Sequence, residues 1–137
     1  MALHLEVVTP DGPVLAADPE YIGIPGAAGQ FGVMSGHIPL LSALAVGSLY
    51  YRQGDSQTDL FVSGGFAEIS NDKVMILAEA AERREDIDIE RARKAKERAE
   101  ARLAKARSGQ GGEEINIARA NAALTRAIMR LSIAGSR

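Results

Sequence analysis

Apolar and polar residues alternate from the start of this chain: Leu3, Leu5 and Val7 fall on one face, His4 and Glu6 on the other. A period of two belongs to a half-buried β-strand. Pro10-Asp11-Gly12-Pro13 breaks that strand with a turn. Short runs of the same kind follow at residues 14–16, 21–24, 48–52, 60–62, 66–69 and 74–77, and Ser70-Asn71-Asp72-Lys73 predicts a tight hairpin between the last two. Strands this short, with turn signals this close and no helical period, predict an antiparallel sandwich or barrel of about 80 residues.

Further along, the period changes. Residues 86–107 contain no Gly or Pro and are dominated by Ala, Arg, Lys and Glu, all strong helix formers. Ile89, Ala92, Ala99, Leu103 and Ala106 trace one narrow helical stripe, Asp88 is a suitable N-cap, and Glu90 complements the helix dipole in the first turn. Ser108-Gly109-Gln110-Gly111-Gly112 stops that helix and supplies a flexible connection. A second helix is expected from about residue 113 to 131, its stripe formed by Ile117, Ala120, Leu124, Ala127 or Ile128, and Leu131. Two helices so joined predict an antiparallel hairpin. Its first seam is mostly alanine, which buries little area for the entropy lost on ordering, so the hairpin should depend on something to pack against. It is expected to dock, undock or extend.

Composition sharpens this division. Over 137 residues the formal net charge is only −2, yet residues 1–82 hold two basic residues, Arg52 and Lys73, against ten acidic ones. The remaining 55 hold fourteen basic and eight acidic residues, so the average describes neither part. All five prolines lie at or before Pro39 and all six aromatics at or before Phe66, which places the boundary between two structural units near residues 83–86. With no Cys and only His4 and His37, a disulfide framework, a thiolate zinc site and a thiol nucleophile are excluded. The longest apolar stretch, residues 38–46, is interrupted by Pro39 and Ser42 and is shorter than the roughly 18 residues a spanning helix needs. Met1-Ala2 runs directly into the first strand pattern without a cationic, apolar leader, so the expectation is a soluble chain that does not insert into a membrane.

The basic hairpin carries no aromatic residue, which argues against nucleic acid, and its mainly alanine face argues against a membrane surface. An acidic protein partner reached by electrostatic attraction remains. Gly26-Ala27-Ala28-Gly29-Gln30-Phe31-Gly32 lacks the spacing of a dinucleotide fingerprint and is expected to be a loop between strands, with glycines at positive φ. His37, in Ser35-Gly36-His37-Ile38-Pro39, has neither a nucleophile nor an orienting carboxylate at recognisable spacing, so a structural or contact histidine is expected. Arg126 and Arg130 stand one turn apart; two such guanidinium forks suit an anion such as phosphate, although exposed arginine pairs are also common without one.

Together these segments resemble a known family. Residues 29–41, Gly-Gln-Phe-Gly-Val-Met-Ser-Gly-His-Ile-Pro-Leu-Leu, are similar to the G-E-x-G-[IV]-x-x-G-H-x-P-L-L motif of the epsilon subunits of bacterial F-type ATP synthase, with Gln30 where the family usually has Glu. Ser63-Gly64-Gly65-Phe66-Ala67-Glu68-Ile69, Ala80-Ala81-Glu82-Arg83, Ile87-Asp88-Ile89-Glu90-Arg91-Ala92 and the run from Leu124 to Leu131 follow in the same order.

The resemblance implies a ten-stranded β-sandwich over residues 1–84 that binds the gamma subunit and the ring of c subunits. It implies a regulatory helical hairpin over residues 85–137 that folds down or extends along gamma toward the beta, and alpha, subunits and inhibits ATP hydrolysis. The chain would then be a non-catalytic part of the central rotor stalk, coupling proton flow to ATP synthesis. It would lie peripherally on the cytoplasmic side of the energy-transducing membrane. Ser35, Gly36, His37 and Ile38 would be subunit-contact residues. Carried over by position, an ATP site would comprise Glu82, Ile87, Asp88, Arg91, Ala92, Arg126 and Arg130. No cofactor or metal is required by this reading, and ATP would be regulatory. A stand-alone ATP-sensing module is the alternative, and no constellation supports an enzyme.

Overall fold

The computed structural model describes residues 2–109 and 116–135. The chain divides into two compact units, the first ending at Asp86 and the second beginning at Ile87.

The first unit is a sandwich of two five-stranded sheets. In chain order its strands are β1 (His4–Thr9), β2 (Gly12–Ala17), β3 (Tyr21–Gly26), β4 (Gly29–Met34), β5 (Leu40–Ala43), β6 (Gly47–Gln53), β7 (Ser56–Ser63), β8 (Phe66–Ser70), β9 (Lys73–Leu77) and β10 (Ala80–Arg83). One sheet runs β2-β1-β9-β8-β5 and the other β10-β7-β6-β3-β4. Every pairing is antiparallel except β1 with β9, which align in parallel from His4 opposite Lys73 to Val8 opposite Leu77.

Alternation decides what each sheet turns inward. Leu5, Val7, Leu15, Ala67, Ile69, Val74 and Ile76 come from the first sheet; Ile22, Ile24, Val33, Leu49, Tyr51, Leu60 and Val62 come from the second. Nearly all of these are fully buried, and together they form one continuous core.

Three strands lie where no run of alternation is legible. β4 runs through the glycines expected to form a loop, and β5 and β10 are four-residue strands. Within residues 26–32 only Gly29 takes a positive φ, at 133°. Gly32 is a strand residue, lying opposite Gly23 on β3. Side chains at these two positions would collide with the rings of Tyr21 and Tyr50 respectively, so glycine serves here to admit an aromatic ring flat against the sheet. Tyr21 and Tyr50 lie with centroids 5.9 Å apart, and the Arg52 guanidinium sits 5.2 Å and 5.5 Å from their ring centres.

Two turns need special backbone. Asn71 and Asp72, at φ 52° and 60°, form the two-residue connection of the β8–β9 hairpin, where both central residues must be left-handed. Gly65 has φ 94°, and a Cβ there would strike the Leu77 carbonyl oxygen. This close approach seats Phe66 directly opposite Leu77.

The second unit contains two helices packed on each other, α1 (Ile89–Ser108) and α2 (Ile117–Gly135). Asp88 is the N-cap of α1, its carboxylate accepting from the Arg91 amide, and Gly109 closes the helix in the left-handed conformation. Residues 110–112 of the expected connection and 113–115 of the expected second helix lie outside the described residues. Ala92, Ala99 and Leu103 of α1 and Ala120, Ala127 and Ile133 of α2 are buried. Ile89, Ile117 and Ile128, expected on the stripes, are about half exposed, and α2 continues past Leu131 to bury Ile133. The contact is therefore narrower and more alanine-rich than the apolar spacing alone implies.

At the start of β1, both ring nitrogens of His4 meet carboxylates: Nδ1 lies 2.8 Å from Asp18 and Nε2 3.0 Å from Glu6. Only the imidazolium can donate to both. Asp18 first, then Glu6, hold its pKa above the ordinary 6.5, although Lys73 stands opposite on β9. The clamp's stabilisation is thus complete below the pKa of an unfolded histidine and is lost as pH rises through the raised value. His4→Gln is expected to flatten the fall in the sandwich's thermal midpoint between about pH 6 and about pH 8; an unchanged pH slope would refute the clamp.

Candidate functional site

Residues 35–39 join β4, an edge of one sheet, to β5, an edge of the other. Ser35, Gly36 and Ile38 are exposed and His37 half-buried, with Ile38 retaining 74% of its surface. Gly36, at φ 86°, allows the chain to turn back so that the His37 amide donates to the Met34 carbonyl at 3.1 Å. The His37 Nδ1 donates to the Ile38 carbonyl at 2.6 Å. All four expected contact residues thus share one protruding loop, flanked by exposed Met34 and Leu41.

Asp72 holds this loop, and sequence reasoning placed it only in a turn. Its Oδ1 accepts from the Gly36 amide at 2.8 Å and its Oδ2 from the Ser35 hydroxyl at 3.0 Å. The Gly36 amide and then the Ser35 hydroxyl hold its carboxyl below the ordinary 3.8.

A second feature lies on the outer face of the β2-β1-β9-β8-β5 sheet. The registers bring Ala43, Phe66, Leu77, Val8 and Pro13 into one row crossing all five strands. Phe66 and Leu77 remain 54% and 50% exposed. An open depression of about 340 Å3 beside Leu77 is lined by Val8, Thr9, Pro10, Ala78 and Glu79 as well. The signal was present in the sequence: on residues 66–69, Phe66 and Ala67 are adjacent apolar residues, so both faces of that strand carry one.

The residues of the expected ATP site divide between the units. Glu82 lies in β10 opposite Phe61, in the sandwich. In the helical unit, Ile87 is buried just before the cap, Asp88 caps α1, Arg91 is exposed in its first turn and Ala92 is buried. Arg126 and Arg130 are half-buried one turn apart on α2, flanking buried Ala127. The Asp88 Oδ1 accepts from the Arg91 amide at 3.0 Å, so this carboxylate already has a structural task. Among the described residues, no group of three or more His, Asp and Glu side chains is placed to hold a metal ion. No described helix is long and apolar enough to cross a membrane.

The β-then-helix order has a precedent. The family model for the ATP synthase Delta/Epsilon chain beta-sandwich domain matches residues 2–84, and that for the long alpha-helix domain matches residues 85–135. The chain belongs to the ATP synthase delta/epsilon family. It is 56% identical over 135 residues to the ATP synthase epsilon chain of Nitratidesulfovibrio vulgaris strain DP4, covering 98% of this chain and 97% of that one. The epsilon chain of Halalkalibacterium halodurans is 47% identical over 133 residues, covering 97% of both. Among solved structures, a chain of the Euglena gracilis mitochondrial ATP synthase assembly of OSCP, F1 and c-ring superposes with a TM-score of 0.76 at 28% identity, covering 93% of this chain and 78% of that chain. A chain of the Tetrahymena thermophila mitochondrial central stalk and c-ring, at 13% identity and TM-score 0.59, shares the fold. A delta/epsilon chain of this kind is a structural or regulatory subunit of the synthase rather than its catalytic part.

The cap on α1 is open to a direct test. Asp88→Ala should cost the helical unit about 1 kcal/mol, read as a lower midpoint for the loss of helical circular dichroism, whereas Asp88→Ser should largely retain it. Equal midpoints for all three chains would show that the cap contributes nothing.

Proposed function

We propose that this chain works in the central rotor stalk of an F-type ATP synthase, transmitting proton-driven rotation and restraining ATP hydrolysis. The sandwich would anchor to gamma and to the c-ring. The helical unit would act as the mobile brake, its basic surface drawn toward the beta, and alpha, subunits. The assembly would place it peripherally on the cytoplasmic side of the energy-transducing membrane.

The observation that carries this reading is the outward apolar row centred on Phe66 and Leu77, in a chain whose two units both match the family. A row of apolar side chains across an otherwise alternating sheet is a surface to be covered by a partner. Gamma is the partner we assign to it, and the 35–38 loop we assign to the c-ring. Phe66→Glu together with Leu77→Glu should weaken co-purification with gamma by about tenfold or more, since hot spots of this kind centre on buried apolar anchors. A chain ending at Glu85 should still bind gamma but no longer inhibit ATP hydrolysis. Retained binding in the first case, or retained inhibition in the second, would overturn the corresponding half.

A regulatory ATP site on the helical unit is the further part of this proposal, supported by the two half-buried arginines flanking Ala127. Guanidinium forks in that arrangement suit a polyphosphate. An NMR titration should show ATP-dependent shifts at Arg91, Arg126 and Arg130 that Arg126→Ala removes. Unshifted resonances at millimolar ATP would eliminate the site.

A further inference from the structure

We propose that Asp72 is the positioning residue for the 35–38 loop, locking it into the shape it presents to its partner. This rests on the reading of that loop as a subunit contact, and assigns the task to a residue outside the motif.

The loop needs an external hold. Both strands that carry it, β4 and β5, are edge strands, paired on one side only. Its internal bonds, from the His37 amide to Met34 and from the His37 ring to Ile38, turn the chain but do not tie it to the sandwich. The two side-chain bonds that do so, from the Ser35 hydroxyl and the Gly36 amide, end on the two oxygens of one carboxylate. Bonds to an ionised acceptor are the stronger kind.

Asp72 is itself a rigid mount. It belongs to a two-residue hairpin turn whose flanking residues, Ser70 and Lys73, are paired. Its carbonyl accepts from the His4 amide at 2.9 Å, fastening the turn to β1 as well. The carboxylate therefore projects from a fixed point in the first sheet toward a chain segment leaving the second. Lose it, and residues 35–38 keep their sequence but not their pose.

The left-handed backbone at Asp72 decides which variants are informative. Alanine at φ 60° would add backbone strain, whereas glycine adopts that conformation freely and removes only the carboxylate. Asparagine also tolerates it and keeps a carbonyl acceptor for the Gly36 amide.

In the full chain, Asp72→Gly should raise the hydrogen-exchange rate of the Gly36 amide by about tenfold, with an unchanged global melting midpoint, and Asp72→Asn should restore most of the protection. Association with a detergent-solubilised complex of gamma and the c-ring should weaken in Asp72→Gly, recover in Asp72→Asn, and weaken in Ile38→Asp. Unaltered Gly36 exchange in Asp72→Gly overturns the latch whatever the binding result. Faster exchange with unaltered association, while Ile38→Asp still binds poorly, overturns the positioning role and leaves the loop contact standing. Full association of Ile38→Asp removes the contact reading and this inference with it.

Discussion

The parallel pairing of β1 with β9 is the contact on which the rest of the sandwich depends. Without it, the β2-β1-β9-β8-β5 sheet is two separate pieces, a hairpin of β1 with β2 and a group of β8, β9 and β5. Neither is wide enough to cover the other sheet alone. Joining residues about 70 positions apart carries a loop-closure cost that grows only logarithmically with length, and the buried row of Leu5, Val7, Val74 and Ile76 offsets it. The same pairing sets Val8 beside Leu77 in the outward apolar row. It also brings the His4 amide to the turn that carries Asp72. The outward apolar row and the mount of the 35–38 loop thus inherit their geometry from one strand pair.

The two units are built to different tolerances. The sandwich has a thick core of Leu, Ile, Val and Tyr held between sheets, which fixes the outer face and its loops as rigid features. The helices meet through Ala92, Ala99, Ala120 and Ala127, with Leu103 and Ile133 the larger buried side chains. Their internal contact buries little area per residue ordered, so it holds the pair together less firmly than the sandwich core holds its sheets. The sandwich is thus the more firmly packed of the two units and the helical pair the less.

Much of this could be read from residue order, because the strands with strict alternation and the Gly-free helical stretch each obey a single period. The fold class followed from those periods, and the family resemblance from ordered motifs. β4 was not legible: its glycines carry the signature of a loop, and only the rings of Tyr21 and Tyr50 lying over Gly32 and Gly23 explain why a strand tolerates them. β5 and β10, four residues each, are too short for a period to show. For the sites, the motif named the exposed ends of interactions, Ser35 to Ile38, but not Asp72, which lies 36 residues beyond Gly36 and reads locally as a turn former. The outward row of Ala43, Phe66, Leu77, Val8 and Pro13 exists only once register is known: the adjacent apolar pair Phe66-Ala67 marks one outward apolar residue but does not say which residues of the other strands lie beside it.

The tyrosines laid over glycines carry a consequence for how such a sheet can change over generations. Gly23 and Tyr50, and Gly32 and Tyr21, each fill a single volume between them. A side chain gained at either glycine displaces a ring, and with it the Arg52 guanidinium stacked on both rings. Across related chains these pairs should therefore drift as units, a bulkier residue at the glycine accompanied by a smaller one at the tyrosine. The outer face of this sheet would be inherited as a matched set of five positions rather than as independent sites.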